Sequence, residues 1–440
     1  MPIQMNGTKP PRAVIVGGSI AGLSCAHSLI SAGFNVVVIE KSVKPPTGSP
    51  TGAGLGLDPL SRGIIRSWVK QPQVLDNITV PLTIDENRAT DGVTKDSWEL
   101  TRDEDFGFRA AHWYDLHGLL YRDLPPDVVL WGHLFLSLHV TEDKHRVTIK
   151  ARVVQTDEEV EITGDLLVAA DGCLSSIRKH FLPDLKLRYS GYCAWRGILD
   201  FSAQEDSDVI LAIRKAYPLL GKCLYFDLSA TSGTHTVLYE LLNKRLNWIW
   251  YINQQEPELK GNSVTMKVDS DMICKMHAEA ERTWLPELAT VMKETKDPFI
   301  NVIYDCDPLE KIVWDNIVLV GDAAHPTTPH ALRSTNMSLV DAEVLGSCLT
   351  KWEPGNLLVA LKEYQDIRIP VTSKQVLHAR RLGQIKQRLP LLDGKALDPR
   401  NSSPQELQEL QQKNIPYFHA VPPHLDPPGG MDWGEKEIRV

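Results

Sequence analysis

An α/β fold is the prediction for these 440 residues, and two observations make it. Short apolar runs that end in small-residue turns recur at residues 13–16, 166–169 and 317–320, the pattern of parallel strands buried on both faces. Between the second and the third the texture changes to alternation. CLYFDL, HTVLYEL and LNWIWYIN read as antiparallel strands, with Leu246, Trp248, Trp250 and Ile252 on one face and Asn247, Ile249, Tyr251 and Asn253 on the other. The expected architecture is a Rossmann-like domain with an inserted antiparallel-sheet domain. The first is expected at 10–75, 108–185 and 305–375, the second at 76–107 and 186–304, with a C-terminal helix and Pro-rich tail at 376–440.

Taken in order, AVIV (13–16) is a buried strand and NVVVIE (35–40) a second one. Between them Ile20, Leu23, Ala26, Leu29 and Ile30 recur at helical spacing, and Gly33 stops the helix. The intervening turn, Gly17, Gly18, Ser19, Ile20, Ala21 and Gly22, fits the G-x-G-x-x-G frame with serine in the second place. A helix N-terminus offers free N–H groups and a positive dipole end to a pyrophosphate, and glycines let the backbone come close. Glu40, 23 residues after Gly17 with Lys41 beside it, is placed to accept hydrogen bonds from ribose hydroxyls. A dinucleotide ending in adenosine is implied, with FAD and NAD both open.

Further along, FRAAHWYDLHGLLYRDLP (108–125) reads as a helix with Leu116, Leu119, Leu120 and Leu124 on its apolar side. LLVAADGCLSSIR (166–178) is a strand followed by Asp171-Gly172, and NIVLVGDAAHP is another that ends in Gly321-Asp322.

Composition narrows the function. Charged residues make up 23% and apolar ones 42%, the balance of a globular domain. A net charge of −9 without a long basic cluster argues against nucleic acid. No apolar run approaches the roughly 18 residues of a membrane helix, and the first residues lack a signal-peptide pattern, so a cytoplasmic protein is expected. Seven scattered cysteines without CxxC spacing read as reduced thiols, and His325 and His330 as turn residues rather than metal ligands.

The glycine turn, the Asp171-Gly172 motif and the Gly321-Asp322 motif, in that order, make residues 12–385 resemble the class A flavoprotein monooxygenases of the para-hydroxybenzoate hydroxylase type. YSGYCAWRG (189–197) and PHA (329–331) resemble one branch, 2,6-dihydroxypyridine 3-hydroxylase and its relatives, and EYQDIRIP (363–370) resembles the family's last helix. The resemblance implies FAD as cofactor. It puts Gly17 to Gly22 at the pyrophosphate, Glu40 at the adenosine ribose and Asp322 at a ribityl hydroxyl. Asp171 and Gly172 fall in a motif associated with both FAD and NAD(P)H. The implied reaction uses NADH or NADPH and O2 to hydroxylate a small aromatic or heteroaromatic substrate through a flavin C4a-hydroperoxide. A monomer or homodimer is expected. The same fold admits epoxidation, oxidative decarboxylation or oxidase chemistry, and a flavin-binding protein without catalysis is the reading from another class.

Two places depart from the family pattern. Leu332-Arg333-Ser334 stands where Gly-Gln-Gly is usual, with Thr335 and Asn336 following in register. A displaced loop or flavin is expected, with Arg333 either near the flavin N1–C2=O edge or in solvent. Trp113 stands where the family carries an arginine that contacts the flavin; it can stack but cannot donate in that way. For a general base to a substrate hydroxyl, His330 is first, ahead of Tyr192, Tyr225 and His112. Arg196 is a candidate for an anionic substrate, for nicotinamide-nucleotide phosphates, or for a domain-interface salt bridge.

Overall fold

The structure is a computed structural model that describes residues 9–412 apart from 48–52, 143–144, 260, 262, 353 and 392–396. The expected Pro-rich tail therefore lies outside the described residues from 413 onward. The first sheet has six strands in the order Val313–Trp314, Ile317–Leu319, Leu166–Ala169, Arg12–Val16, Asn35–Glu40 and Val129–Trp131. All neighbours pair in parallel except the Val313–Trp314 edge. This order brings the carboxyl ends of three strands together, although their segments are some 300 residues apart in sequence. The backbone continues across that edge: Gly17 donates to Ile39 O, Ala170 to Val16 O and Val320 to Ala169 O. Ligands of open parallel sheets sit outside such carboxyl ends.

The second sheet has eight strands, among them Arg188–Asp200, Cys223–Ser229, Thr234–Leu241 and Arg245–Asn253, and Ile84–Thr90 and Ser97–Asp103 complete one side. Its faces are those the alternation predicts. Trp248 and Trp250 pack with Trp284, Leu288 and Met292 beneath the helices Asp208–Ala216, Ser270–Thr283 and Pro286–Glu294. Tyr192, Ala194, Tyr239, Ile249 and Tyr251 form the opposite, inner face.

One expected helix is shorter than predicted. Phe108–His112 is a strand between Gly54–Leu57 and Thr79–Leu82, and the helix begins only at Trp113. The physical reason is a period of two: Phe108 and Ala110 enter the inner-face core, while Ala111 packs with the first sheet. His112 then caps the helix, its Nδ1 accepting from Tyr114 N.

Two long helices complete the first domain. Arg333–Trp352 packs on Ile20–Ser31, and Leu357–Lys386 runs unbroken through residue 376, where the sequence reading ends the domain. They meet at a buried carboxylate. Asp341 Oδ2 accepts from Gly321 N at 2.8 Å and faces His325 Nε2 at 2.6 Å, while Oδ1 accepts from Arg368 Nε at 2.7 Å. Among the described residues no helix is long and apolar enough to cross a membrane.

Glycine is sterically required in the first turn. A Cβ on Gly22 would lie 1.8 Å from Gly17 O, whereas at Gly33, which has φ +86°, it would meet nothing within 4 Å. Gly22→Ala should cost about 3 kcal/mol and Gly33→Ala about 1 kcal/mol, read by denaturant unfolding. Equal losses would mean that the turn is not tight.

Burial alone would raise the Asp341 carboxyl, but His325, Arg368 and the Gly321 N–H outweigh it and hold the group well below the ordinary aspartate range. A depressed folded value stabilises fully above the unfolded range, roughly pH 4–5, and the contribution is withdrawn as pH falls further. Asp341→Asn should therefore cost about 3–5 kcal/mol at neutral pH, because it strips a buried charge network of its centre. The gap between wild type and variant should narrow below about pH 4 in urea titrations; a gap independent of pH would remove the carboxylate from this role.

Candidate active site

The glycine turn is a cradle that no side chain can enter. A Cβ on Gly17, which has φ +109°, would fall 2.3 Å from Ala170 O, and one on Gly18 would fall 2.9 Å from Glu40 Cβ. Ser19 precedes the helix with φ −86°, an ordinary negative angle, so serine is tolerated in the second glycine place. Glu40 is fixed at the mouth of the turn: Oε2 accepts from Gly18 N at 2.8 Å, and Oε1 from Ser42 N and Oγ. Lys41 is exposed. Beneath the turn, His117 Nε2 lies 2.9 Å from Gly18 O, and burial lowers its pKa, so a neutral ring donates to that carbonyl. Trp113, one helical turn earlier, has its ring 4.8 Å from His117. The structure thus ties Trp113 to the dinucleotide turn through a histidine that the sequence reading missed; its signal was the i,i+4 spacing on one helix face.

The Gly321-Asp322 turn lies against the same helix. Gly321 has φ +57°, and a Cβ there would be 3.0 Å from Ala21 Cβ and 2.8 Å from Ser338 Oγ. Ile20 and Ala21 open the first helix, so the third motif closes on the first. Asp322 is partly accessible, accepts one hydrogen bond from Ser334 Oγ at 2.7 Å, and has its pKa raised by burial. Asp171 is consumed locally: it accepts from Ser175 Oγ and Ile177 N and so secures a short helix. Gly172 has φ +80° and open space around it. Arg178 joins the two motifs by donating to Asp322 O and Ala323 O and to Cys173 O.

The altered turn keeps the backbone that glycine would supply. Ala331 and Leu332 both have positive φ, +63° and +57°, at about 1 kcal/mol of strain each. The Leu332 side chain reaches Gly56, where a Cβ would sit 2.8 Å from Leu332 Cδ1. Arg333 does not point to solvent. It is 1% exposed, ion-pairs with Asp58 at 3.2 Å, donates to Ala331 O at 2.6 Å and lies over the Phe108 ring. Asn336 holds the turn from inside: Nδ2 donates to Gly56 O and Leu332 O, and Oδ1 accepts from Asp58 N. Thr335 is half-buried beside it.

On the inner face of the second sheet, a hydrogen-bond chain fixes every proton. Gln387 Nε2 donates to Asn253 Oδ1 at 2.8 Å, so its Oε1 is the acceptor facing His235 Nδ1 at 2.8 Å. His235 therefore carries its proton on Nδ1 and accepts at Nε2 from His330 Nε2, 3.3 Å away. His330 Nδ1 is left to accept from the Tyr192 hydroxyl at 3.3 Å. Burial lowers both histidines and raises Tyr192, so the chain rests neutral. Neither His235 nor Gln387 was anticipated from sequence; His235 alternates with Val237 and Tyr239, which lie on the inner face.

Other candidates fall away. Tyr225 lies in the opposite core, its oxygen accepting from Leu219 N, and Trp248 and Trp250 donate to Thr295 and Thr234 there. His112 spends its Nδ1 lone pair on Tyr114 N, which leaves it a donor at Nε2 rather than a base. Arg196 extends from the inner face, half-buried, with no acceptor for Nε.

These residues fit a bulky dinucleotide: a cradle closed to any Cβ, an anchored carboxylate for vicinal hydroxyls, and Asp322 with acceptor capacity to spare. Comparison agrees with that geometry. Residues 15–46 match a family model for an NAD(P)-binding Rossmann-like domain. The chain is 27% identical over 368 residues to 2,6-dihydroxypyridine 3-monooxygenase of Paenarthrobacter nicotinovorans, covering 77% of this chain and 83% of that protein. It is 24% identical over 371 residues to 6-hydroxynicotinate 3-monooxygenase of Pseudomonas fluorescens, covering 83% and 90%. The HpxO structure from Klebsiella pneumoniae, solved with FAD and uric acid, superposes with a TM-score of 0.70 at 21% identity, covering 91% of this chain and 93% of that one. In fold the chain is similar to solved FAD-binding hydroxylases, and in sequence to aromatic-ring monooxygenases.

Proposed function

We propose that the chain is a flavoprotein monooxygenase that uses NADH or NADPH, FAD and O2 to hydroxylate a small aromatic or heteroaromatic ring. The observation that carries this reading is the closure of the Gly321-Asp322 turn on Ala21, which sets a phosphate cradle and a polyol-binding carboxylate at one strand edge, within reach of a second sheet's inner face. An adenine dinucleotide with a sugar-alcohol linker has that sequence of groups. The turn from Gly17 to Gly22 receives the pyrophosphate, Glu40 the ribose and Asp322 the ribityl chain. When bound, FAD supplies the redox chemistry: it takes up electrons from the nicotinamide nucleotide and activates O2.

What the chain's own residues add is proton control. Because His330 Nδ1 is engaged by Tyr192, a substrate hydroxyl meets the Tyr192 oxygen and not the histidine itself. Loss of the substrate proton to Tyr192 is matched by transfer of the Tyr192 proton to His330 Nδ1 and of the His330 Nε2 proton to His235 Nε2. The ring is left as the more nucleophilic anion and His235 as the cation. Burial of His235 and Tyr192 keeps bulk water out of this path.

Asp322→Ala should lower the FAD content of the purified protein, measured by absorbance after gel filtration, and wild-type occupancy in the variant would remove Asp322 from the flavin site. Tyr192→Phe should retain FAD while lowering substrate-dependent NADPH oxidation by about 10²-fold or more, with the largest deficit for substrates whose hydroxyl is least acidic. A phenol or hydroxypyridine panel that never stimulates NADPH oxidation in FAD-loaded wild type would defeat the hydroxylase reading.

A further inference from the structure

The inner face of the second sheet is covered on all sides, and one of its covers is built differently from the rest. Tyr192, His235, Tyr239, Tyr251 and His330 are each 3% exposed or less. A ring that brings a hydroxyl to Tyr192 must therefore displace a covering element. The end of the helix Leu357–Lys386 is one cover, and it is wedged in place: a Cβ on Gly383 would fall 2.4 Å from the Tyr192 hydroxyl, and Gln387 is bonded to both Asn253 and His235. The turn at 330–336 is another, pinned by Asn336 and by the Arg333–Asp58 pair.

Residues 397–412 form the third. Leu397 and Leu410 are buried in the inner-face core and Leu407 packs against it, so this segment closes the face. Among the described residues it enters no strand pairing. Gln412 N donates to Asp85 Oδ2 at 3.0 Å, and two ion pairs hold the rim, Arg381 with Glu409 at 2.9 Å and Arg400 with Asp91. Arg381 and Arg400 are 41% and 50% exposed, so water and salt weaken both pairs.

The segment also meets its own polar needs. Ser402 Oγ accepts from Asp398 N, the Asp398 carboxylate accepts from Arg400 N and the Asn401 amide, and Ser403 and Glu406 cap Pro404–Leu407 reciprocally. Lifting it as a unit breaks the Asp85 bond and the rim pairs and exposes three leucines. Lifting a strand breaks a hydrogen-bond ladder, and lifting the helix end breaks the Gln387 bonds. Local opening follows the least cross-linked element.

Resting on the flavoprotein reading above, we propose that residues 397–412 are a strap that gates the inner face: it lifts to admit the ring and closes over it, with Asp85, Asp91 and Arg381 as the points to which it latches.

The test is stopped-flow binding of 2-hydroxypyridine, a neutral ring, to the full-length, FAD-loaded protein, followed by tryptophan fluorescence. The latches hold the strap closed alike over an empty and a filled face. Arg400→Gln combined with Glu409→Gln should therefore raise association and dissociation rates together by about twofold to fivefold, with Kd within about twofold of wild type. Wild-type rates should rise likewise in about 0.5 M salt, and those of the double variant should not. Amide hydrogen exchange should show 397–412 opening faster than the strand Arg245–Asn253, and slowing when the ring is bound. Wild-type rates in the unlatched variant, or a Kd that moves through dissociation alone, would overturn the proposal. So would strap amides as protected as those of the sheet, which would make the segment part of the rigid core. A protein that purifies without FAD and still shows the paired rise in rates would instead defeat the flavoprotein reading and leave the strap standing.

Discussion

Everything at the strand edge depends on one buried carboxylate. Asp341 receives the Gly321 N–H, His325 and Arg368, and these partners come from the Gly321-Asp322 turn and the long helix Leu357–Lys386, while Asp341 itself belongs to Arg333–Trp352. A helix that reaches the end of a parallel sheet must satisfy the turn N–H groups that the strands leave behind. Here a charge does so, and in doing so it holds Gly321 at positive φ against Ala21. Arg178 repeats the device from the other side by donating to the carbonyls of Asp322 and Ala323. The turn that carries the Asp322 carboxylate is thus held by two charged side chains, Asp341 and Arg178, a rigid support for the group that the proposed reading gives to the flavin.

The turn after it shows the same logic under strain. Ala331 and Leu332 break the local rule that positive φ belongs to glycine, and the surroundings compensate. Asn336 binds the backbone on both sides, Arg333 is buried against Asp58, and Gly56 makes room for the Leu332 side chain. The glycine has in effect moved across the cleft. Strained positions persist only where the surrounding structure over-determines them, and they gather at functional sites.

Much of this was legible in the chain. The three strand-and-turn motifs, the two faces of the second sheet and the apolar role of Trp248 and Trp250 follow from periodicity and glycine placement alone, because burial on one or both faces writes a period of two or a continuous run into the residues. Phe108–His112 was misread because the leucines of the following helix are strong enough to extend the pattern backward, and only pairing with Gly54–Leu57 and Thr79–Leu82 decides for a strand. The hydrogen-bond chain was half visible. Tyr192 and His330 lie in recognisable motifs, but His235 and Gln387 join them from segments 95 and 57 residues away from His330. No local pattern encodes such a contact; only the pairing of strands and the end of the long helix create it. Asp171 shows the reverse, a residue in a functional-looking motif whose carboxylate is spent on Ser175 and Ile177.

The inner face holds two basic side chains beside its neutral tautomers. Besides Arg196, Lys386 is buried there, donating to Asn87 at 2.9 Å and lying over the Phe226 ring, with burial lowering its pKa to about 7 despite Asp85 nearby. Burial foremost, and then His235, Lys386 and Arg196, lowers His330, so that histidine does not hold a proton in the resting site. A proton arriving at His235 therefore meets an unfavourable field unless an anion arrives with it. On the proposed reading, an anionic ring bound at this face would remove part of that field, which would make the relay uphill in the empty pocket and less so in the filled one. On the reading proposed above, proton transfer along the chain from Tyr192 to His235 would feel the basic side chains of this face, because Lys386 bears on both histidines and Arg196 on His330.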